Sequence, residues 1–463
     1  MKPAYLALAL LFIIIAFFLA QAIVALPLKL SQVLIIGLIF SIISMINLES
    51  GLLILVFVVP FTQQITIGQV SRIPFDVGTD DILILFLLFS WLANLVRSKQ
   101  PLPLKSPLNW PLFALFAVSV FSFTGAHREF GPGPVVLGFF HLLKFFEYVA
   151  VYFIIISTIR SKEQIKRFLS LLFIIVGIVA LVQFISMLKW GQLSLSAYSA
   201  GRYFFMRSMY GFQSNSILGA YYSFFVAILL AIVIDLPRTR RKPLLSIFML
   251  VLSFALFNTL SRSAYLGLVV SFFVLACLKE KKLFLVIMLL LALSPVYMQR
   301  AVLERITLTV QSLQPRLALD PSSAIRLVLW KKGFEVFLKN AVFGTGYWTT
   351  RWAMRGEAHS QYLAVLIEIG IVGFIVYAWL VIRMLKNSLT LAKTGASGFL
   401  RSLGAGYTAG LFAILTTCFF SETLEAFRVI GPLWIVSALI TSANRLPVQS
   451  SPKQQQADKE KAP

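Results

Sequence analysis

His359 is one of only three histidines in a chain of 463 residues, and it stands just before a long apolar run. An imidazole there can take a proton near neutral pH or donate a hydrogen bond to an anion. It can equally be a residue closing the N-terminus of a helix at a membrane interface. Arg262, within Ser261-Arg262-Ser263, also opens an apolar run. A guanidinium grips phosphate oxygens in pairs, or snorkels to lipid headgroups. Arg202 and Arg207 are interleaved with Tyr198, Tyr203, Phe204, Phe205 and Tyr210. That mixture suits a sugar-phosphate headgroup, and it suits an aromatic belt. Arg326 and Trp330 are four residues apart, on one face of any helix, where the guanidinium can stack on the indole.

A second set of candidates lies inside the apolar runs. Glu368 follows His359 by nine residues, which on a helix is about 13 Å of depth and half a turn away in direction. It therefore cannot orient His359, and reads as an intramembrane carboxylate of functional or structural use. His141, Lys144 and Glu147 are spaced by three and share a helix face. They either border a polar cavity or, through Lys144 and Glu147, neutralise each other. Asp80-Asp81 reads as helix N-terminal charge rather than a metal site. No metal site and no cofactor are expected. Cys277 and Cys418 both lie in apolar runs and offer no disulfide framework. No Walker A, dinucleotide-binding, HExxH or GxSxG pattern stands in a plausible context, which leaves ATP-driven transport and proteolysis without support.

The elements that must hold these residues are membrane helices. Hydrophobic residues make up 59% of the chain and charged ones 13%, against roughly 45–50% apolar in soluble domains. A disordered chain, a coiled coil and an ordinary water-soluble enzyme are excluded. The fold class is all-α and polytopic. Fourteen apolar stretches are expected to span: 5–25, 29–46, 49–65, 79–97, 107–124, 134–158, 166–188, 213–235, 243–258, 261–278, 282–298, 360–383, 401–420 and 427–443. Stretch 49–65 carries Pro60, Gln63 and Gln64. Residues 1–25 resemble a signal peptide with Ala20-Gln21-Ala22 as cleavage site, but the apolar run exceeds the usual 7–15 residues and is read as an uncleaved helix.

Lys and Arg number 41 against 18 acidic residues, a formal charge of +23. Most of the excess falls in the short connections of one side, which the positive-inside rule makes cytoplasmic together with both termini. The protein is thus expected in a plasma membrane, bacterial and inner by the resemblance described below. No nucleic-acid partner is expected. The anomaly is the opposite side, where loop 299–359 alone carries nine basic residues against Glu304, Asp320, Glu335 and Glu357. Asp320-Pro321 predicts an N-cap with Pro at N1, opening a helix over roughly 321–340. That helix either binds something anionic or lies on headgroups. The tail after Arg445 is Gln/Lys/Pro-rich and expected to be disordered. Domain divisions are expected at 1–258, 259–443 and 444–463.

Three segments, in order, resemble a known superfamily. They are Ser261-Arg262-Ser263-Ala264; Arg326 and Trp330 followed by Asn340-Ala341-Val342-Phe343-Gly344-Thr345-Gly346; and His359-Ser360-Gln361-Tyr362-Leu363 followed by Glu368-Ile369-Gly370 and Gly373. The chain resembles the O-antigen ligase/polymerase superfamily over roughly 258–380. Ala341 stands where that family often has Pro. The resemblance implies a metal-independent glycosyltransferase of the C-type membrane class. Such an enzyme moves glycan from an undecaprenyl-pyrophosphate carrier to an acceptor hydroxyl on a glycan, lipid or protein. It implies Arg262 and one of Arg202 or Arg207 on the pyrophosphate. His359 would be general base or positioning group, and Arg326, Trp330, Gly344 and Gly346 would support substrate binding. Two rival readings accompany it. The superfamily resemblance extends to inorganic-carbon transporters, and Lys144, Glu147 and Glu368 could serve an ion path. A scaffold in a polysaccharide export assembly is the third.

Overall fold

A computed structural model describes residues 28–61, 64–70, 73–99, 105–190, 214–282, 284 and 321–446. Its elements are almost all helical. They are α1 (Leu28–Ile46), α2 (Leu48–Val58), α3 (Thr79–Ser98), α4 (Asn109–Phe130), α5 (Pro132–Thr158), α6 (Lys162–Trp190), α7 (Asn215–Asp235), α8 (Arg241–Phe257), α9 (Arg262–Leu278), α10 (Pro321–Lys339), α11 (Thr350–Met354), α12 (Gln361–Thr394), α13 (Gly398–Thr417) and α14 (Phe427–Ala443). Seven of the described helices are long and apolar enough to cross a membrane: α3 to α7, α12 and α13. Four shorter apolar helices accompany them among the described residues: Ile35–Ile46 within α1, Leu48–Phe61 comprising α2 and its three-ten turn, α9 and α14. The protein is a multi-pass membrane protein. The expected span 5–25 and all of 282–298 but residues 282 and 284 lie outside the described residues, as do Arg202, Arg207, Asp320 and the tail beyond 446.

One expected span is corrected. Helix α2 ends at Val58, a three-ten turn covers Val59–Phe61, and the chain then pairs as a hairpin of β1 (Gln64–Val70) and β2 (Ile73–Gly78). Pro60 cannot donate a helical hydrogen bond, and Gln63 and Gln64 end the apolar run, so 49–65 does not continue as one helix. The expected 321–340 helix is present as α10.

The chain divides into two compact units, Met1–Gln69 with Pro74–Leu102, and Val70–Ile73 with Pro103–Pro463. In the first, α1 packs on α3, with the Ser41 and Ser90 hydroxyls 3.1 Å apart in the contact. Asp81 caps α3 by accepting from the Gly78 N–H at 2.7 Å, the role expected of an N-terminal acid.

In the second unit α13 is the central element, packed on α7, α9 and α12. Small residues allow the close approach: a side chain at Gly267 would collide with the Ala413 carbonyl, and one at Gly406 with the Ile228 backbone. Gly267 meets Ala413 while Leu275 clusters with Ala405, so α9 and α13 are antiparallel. Arg262, at the start of α9, is therefore at the end of the bundle where α13 finishes. The Gln361 N–H, at the start of α12, donates to the Cys418 carbonyl at 2.8 Å, at that same end. The fold thus gathers Arg262 and His359, 97 positions apart in sequence, at one end of the bundle.

Candidate functional site

The frame of the site is an exchange of backbone hydrogen bonds. Helix α12 is interrupted at Gly370, whose φ of 65° and ψ of −168° belong to a region essentially reserved for glycine. In an unbroken helix the Ile371 and Val372 N–H groups would donate to the carbonyls of Ile367 and Glu368. Here they donate to Ala341 and Val342, at 2.9 and 3.3 Å. The two stranded carbonyls instead accept from the Thr345 and Gly346 N–H groups, at 2.8 and 2.9 Å. Segment 341–346 fills the break and pairs the four backbone groups named here. A side chain at Gly344 would stand 2.3 Å from the Glu368 backbone, and one at Gly370 would stand 2.3 Å from the Val342 carbonyl. The two glycine motifs are the facing sides of one contact. Gly346, with φ of 116°, abuts Ala126 of α4.

The break brings Glu368 to rest. Its Oε1 accepts from the Thr350 hydroxyl at 2.8 Å and lies 3.4 Å from the Thr350 N–H. Glu368 is buried, and its partner is Thr350 at the start of α11, not His359. With Glu425, Gln361, Tyr347, Trp348 and Tyr377 it forms the polar part of a mostly apolar cavity that reaches Trp434.

His359 stands one residue before Ser360, the N-cap of α12, in left-handed conformation with φ of 52°. Its Nδ1 is 3.7 Å from Glu357 Oε2, and its side chain is 40% exposed. Glu422, in the α13–α14 connection, accepts from the Ala358 N–H at 2.6 Å and the His359 N–H at 3.2 Å through one oxygen. Gln361 adds a third tie, its Oε1 accepting from the Leu424 N–H at 2.9 Å. Trp348 and Arg355 also hold positive φ, so three such non-glycine residues fall within 348–359. Backbone strain of this kind, of order 1–3 kcal/mol per residue, persists only where surroundings impose it, and it clusters at functional sites.

Glu357, Glu368, Glu422 and Glu425 interact electrostatically, with Arg351 as the opposing charge. Burial first, then Glu357 and Glu368, push the Glu422 carboxyl up to about 7. Burial and Glu422 hold Glu425 well above the usual carboxylate range. Arg351 is 3.9 Å from Glu357 and lies over the Trp348 ring. On the other side of this group, His141 of α5 stacks on Trp348 with centroids 3.6 Å apart, and Lys144 lies over Phe427 of α14 at 4.7 Å. His141 and Lys144 therefore join the aromatic wall of the site.

Arg262 follows Ser261, which caps α9 and bonds to the Ser216 and Ser263 hydroxyls at 3.3 and 3.1 Å. Leu260 before it is left-handed, with φ of 52°. Arg326 is half-buried on α10, and Trp330 packs near Phe420, with centroids 6.3 Å apart. The inner face of α10 buries Leu329, Val336 and Phe337 against Ala358, Ala364 and Ile367, which docks that helix on the first turns of α12. Among the described residues no group of three or more His, Cys, Asp or Glu side chains could hold a metal ion.

Sequence reasoning passed over Glu422, Glu425, Trp348 and the role of Arg351. One signal was present: the charge parity that puts His359 on one side also puts the 421–426 connection there, with two carboxylates three residues apart.

An all-α membrane bundle with a broken helix, a charged mouth and an aromatic wall defines the class. Residues 247–378, from within α8 to just past the break in α12, match the family model described as Wzy_C, O-Antigen ligase. That match assigns the region to the O-antigen ligase/polymerase superfamily, the one its motifs resemble. No curated protein matches the chain.

Proposed function

We propose that the protein is a glycosyltransferase that moves glycan from undecaprenyl pyrophosphate to an acceptor hydroxyl at the outer face of a bacterial inner membrane. The observation that carries this reading is the gathering of Arg262 and His359 at one bundle end, His359 left-handed itself and Arg262 two residues after the left-handed Leu260, within a stretch that matches O-antigen ligases. In this reading the acceptor O–H gives its proton to His359 as its oxygen bonds to the anomeric carbon. The bond from that carbon to the pyrophosphate oxygen breaks, and Arg262 stabilises the anion that leaves. Arg202 or Arg207 would share that load, while Arg326 and Trp330 would support the donor from α10. The glycine contacts at 344 and 346 would keep the wall of the site in place. Both termini would be cytoplasmic, and the catalytic part would occupy 259–443.

A broken membrane helix bearing a carboxylate is also a feature of transporters, and Glu368 beside Gly370 is the observation that favours that rival. Against it, segment 341–346 closes the break with backbone bonds instead of leaving groups open to an ion. His359→Ala and Arg262→Ala are each expected to lower glycan transfer at least about a hundredfold, with membrane expression unchanged. Normal glycan profiles in both variants would sink the assignment. Solute uptake into proteoliposomes lacking lipid-linked sugar would favour transport.

A further inference from the structure

The Glu422 contacts sit in an unusual place. A carboxylate near a helix start normally caps the first turn. In α12 the Gln361 N–H already donates to Cys418, and Glu422 instead accepts from Ala358 and His359, the two residues before the Ser360 cap. What it fixes is the turn that precedes the helix. That turn is the left-handed one at His359, a conformation non-glycine residues adopt uncommonly. Glu422 does this in the company of Glu357, Glu368 and Glu425, with Arg351 as the opposing charge and His359 as the neighbouring imidazole. Acidic neighbours crowded around one half-buried carboxyl work against its ionisation, and groups kept at such a cost mark functional positions.

We propose that Glu422 is a positioning residue for His359: its carboxylate holds the 358–359 backbone in the left-handed turn that presents the imidazole at the open side of the site. The catalytic consequence rests on the glycosyltransferase reading, but the positioning itself does not.

The three histidines make a direct test available. The full-length protein is labelled with 15N-histidine in detergent micelles, and the His359 ring signals are assigned by their loss in His359→Gln. In Glu422→Ala the His359 signals are expected to move while those of His127 and His141 stay. In Glu422→Gln, whose Oε1 can still accept both N–H groups, the His359 signals are expected to return to their wild-type positions. His359 signals unmoved in Glu422→Ala, or moved equally in both variants, overturn the proposal. If Glu422→Ala does not fold, Glu422→Gln decides alone: wild-type His359 signals support the assignment, and displaced ones reject it.

A transfer assay on the same proteins, with a synthetic polyprenyl-pyrophosphate-linked oligosaccharide as donor, tests the consequence. Glu422→Ala should lose about ten- to a hundredfold in kcat with KM little changed, and Glu422→Gln should recover most of it. A wild-type protein without transfer activity would remove the functional reading, while the spectra would still decide the positioning.

Discussion

The two ends of the second unit treat polar groups in opposite ways. Where α7 and α9 finish and α13 starts, Lys279 pairs with Asp235, and Ser402 bonds to both. Nearby, the Tyr152 hydroxyl meets Ser106 at 2.6 Å and Thr441 at 3.0 Å, and Asn387 links Thr441 to Asn444. Asp235 there is matched by Lys279, and these hydroxyls find partners in regular backbone. At the other end stand four interacting carboxylates, a stacked histidine and the left-handed residues Leu260, Trp348, Arg355 and His359. The first end is arranged to hold helices together. The second accepts strain and like-charge repulsion, which a fold sustains where rigid neighbours impose it and function uses it.

Substitutions can break this contrast. Alanine at Gly370 or Gly344 has the largest expected effect on the fold, because the new methyl would stand 2.3 Å from facing backbone and each site has positive φ. Each should cost about 3 kcal/mol or more, read as a drop in Tm in detergent, with transfer lost as the Glu368 segment shifts. Ile371 or Val342 substituted by alanine makes no such clash and serves as a control.

The carboxylate cluster predicts a pH effect of definite sign. Glu422 moves from an ordinary value of 4.5 to about 7 in the folded protein. Between those values the folded state binds more protons than the unfolded one, so this group contributes stability at low pH that is lost as pH rises through about 7. Tm should therefore fall less steeply from pH 5 to pH 7.5 in Glu422→Gln than in the wild-type protein. A slope equal to wild type would mean that Glu422 does not titrate there.

The smallest effect is expected at the matched end. Lys279→Ala leaves Asp235 with Ser402 and should cost about 1 kcal/mol, while glycan transfer at saturating substrate changes less than about twofold. A large loss of transfer from that position would show that the two ends are coupled.

Much of this was legible from local properties. The run lengths of apolar residues located the helices within the described residues, and the spacing after Asp320-Pro321 located α10. The 49–65 stretch failed because hydropathy averaged across Pro60, which stops a helix through geometry. The order of the Arg262, Gly344 and His359 motifs pointed to the family and to the side on which the candidate residues cluster. What the motifs were for was less visible. Gly344-Thr345-Gly346 resembles any short turn until Glu368-Ile369-Gly370 is laid against it, and Glu368 read as a lone acid until Thr350 was beside it.

The sequence by itself determined that this chain is a multi-pass membrane protein, which stretches are apolar and which motifs carry charge. Those properties depend on apolar length and on residue type, both local in the chain. Only the tertiary structure decided that α12 breaks at Gly370, that Glu422 adjoins His359, and that His141 stacks on Trp348. Each of these depends on which backbone or ring lies across a contact from residues tens to hundreds of positions away. In an apolar bundle, that choice is made by close packing of small residues and by the need to pair every buried backbone group.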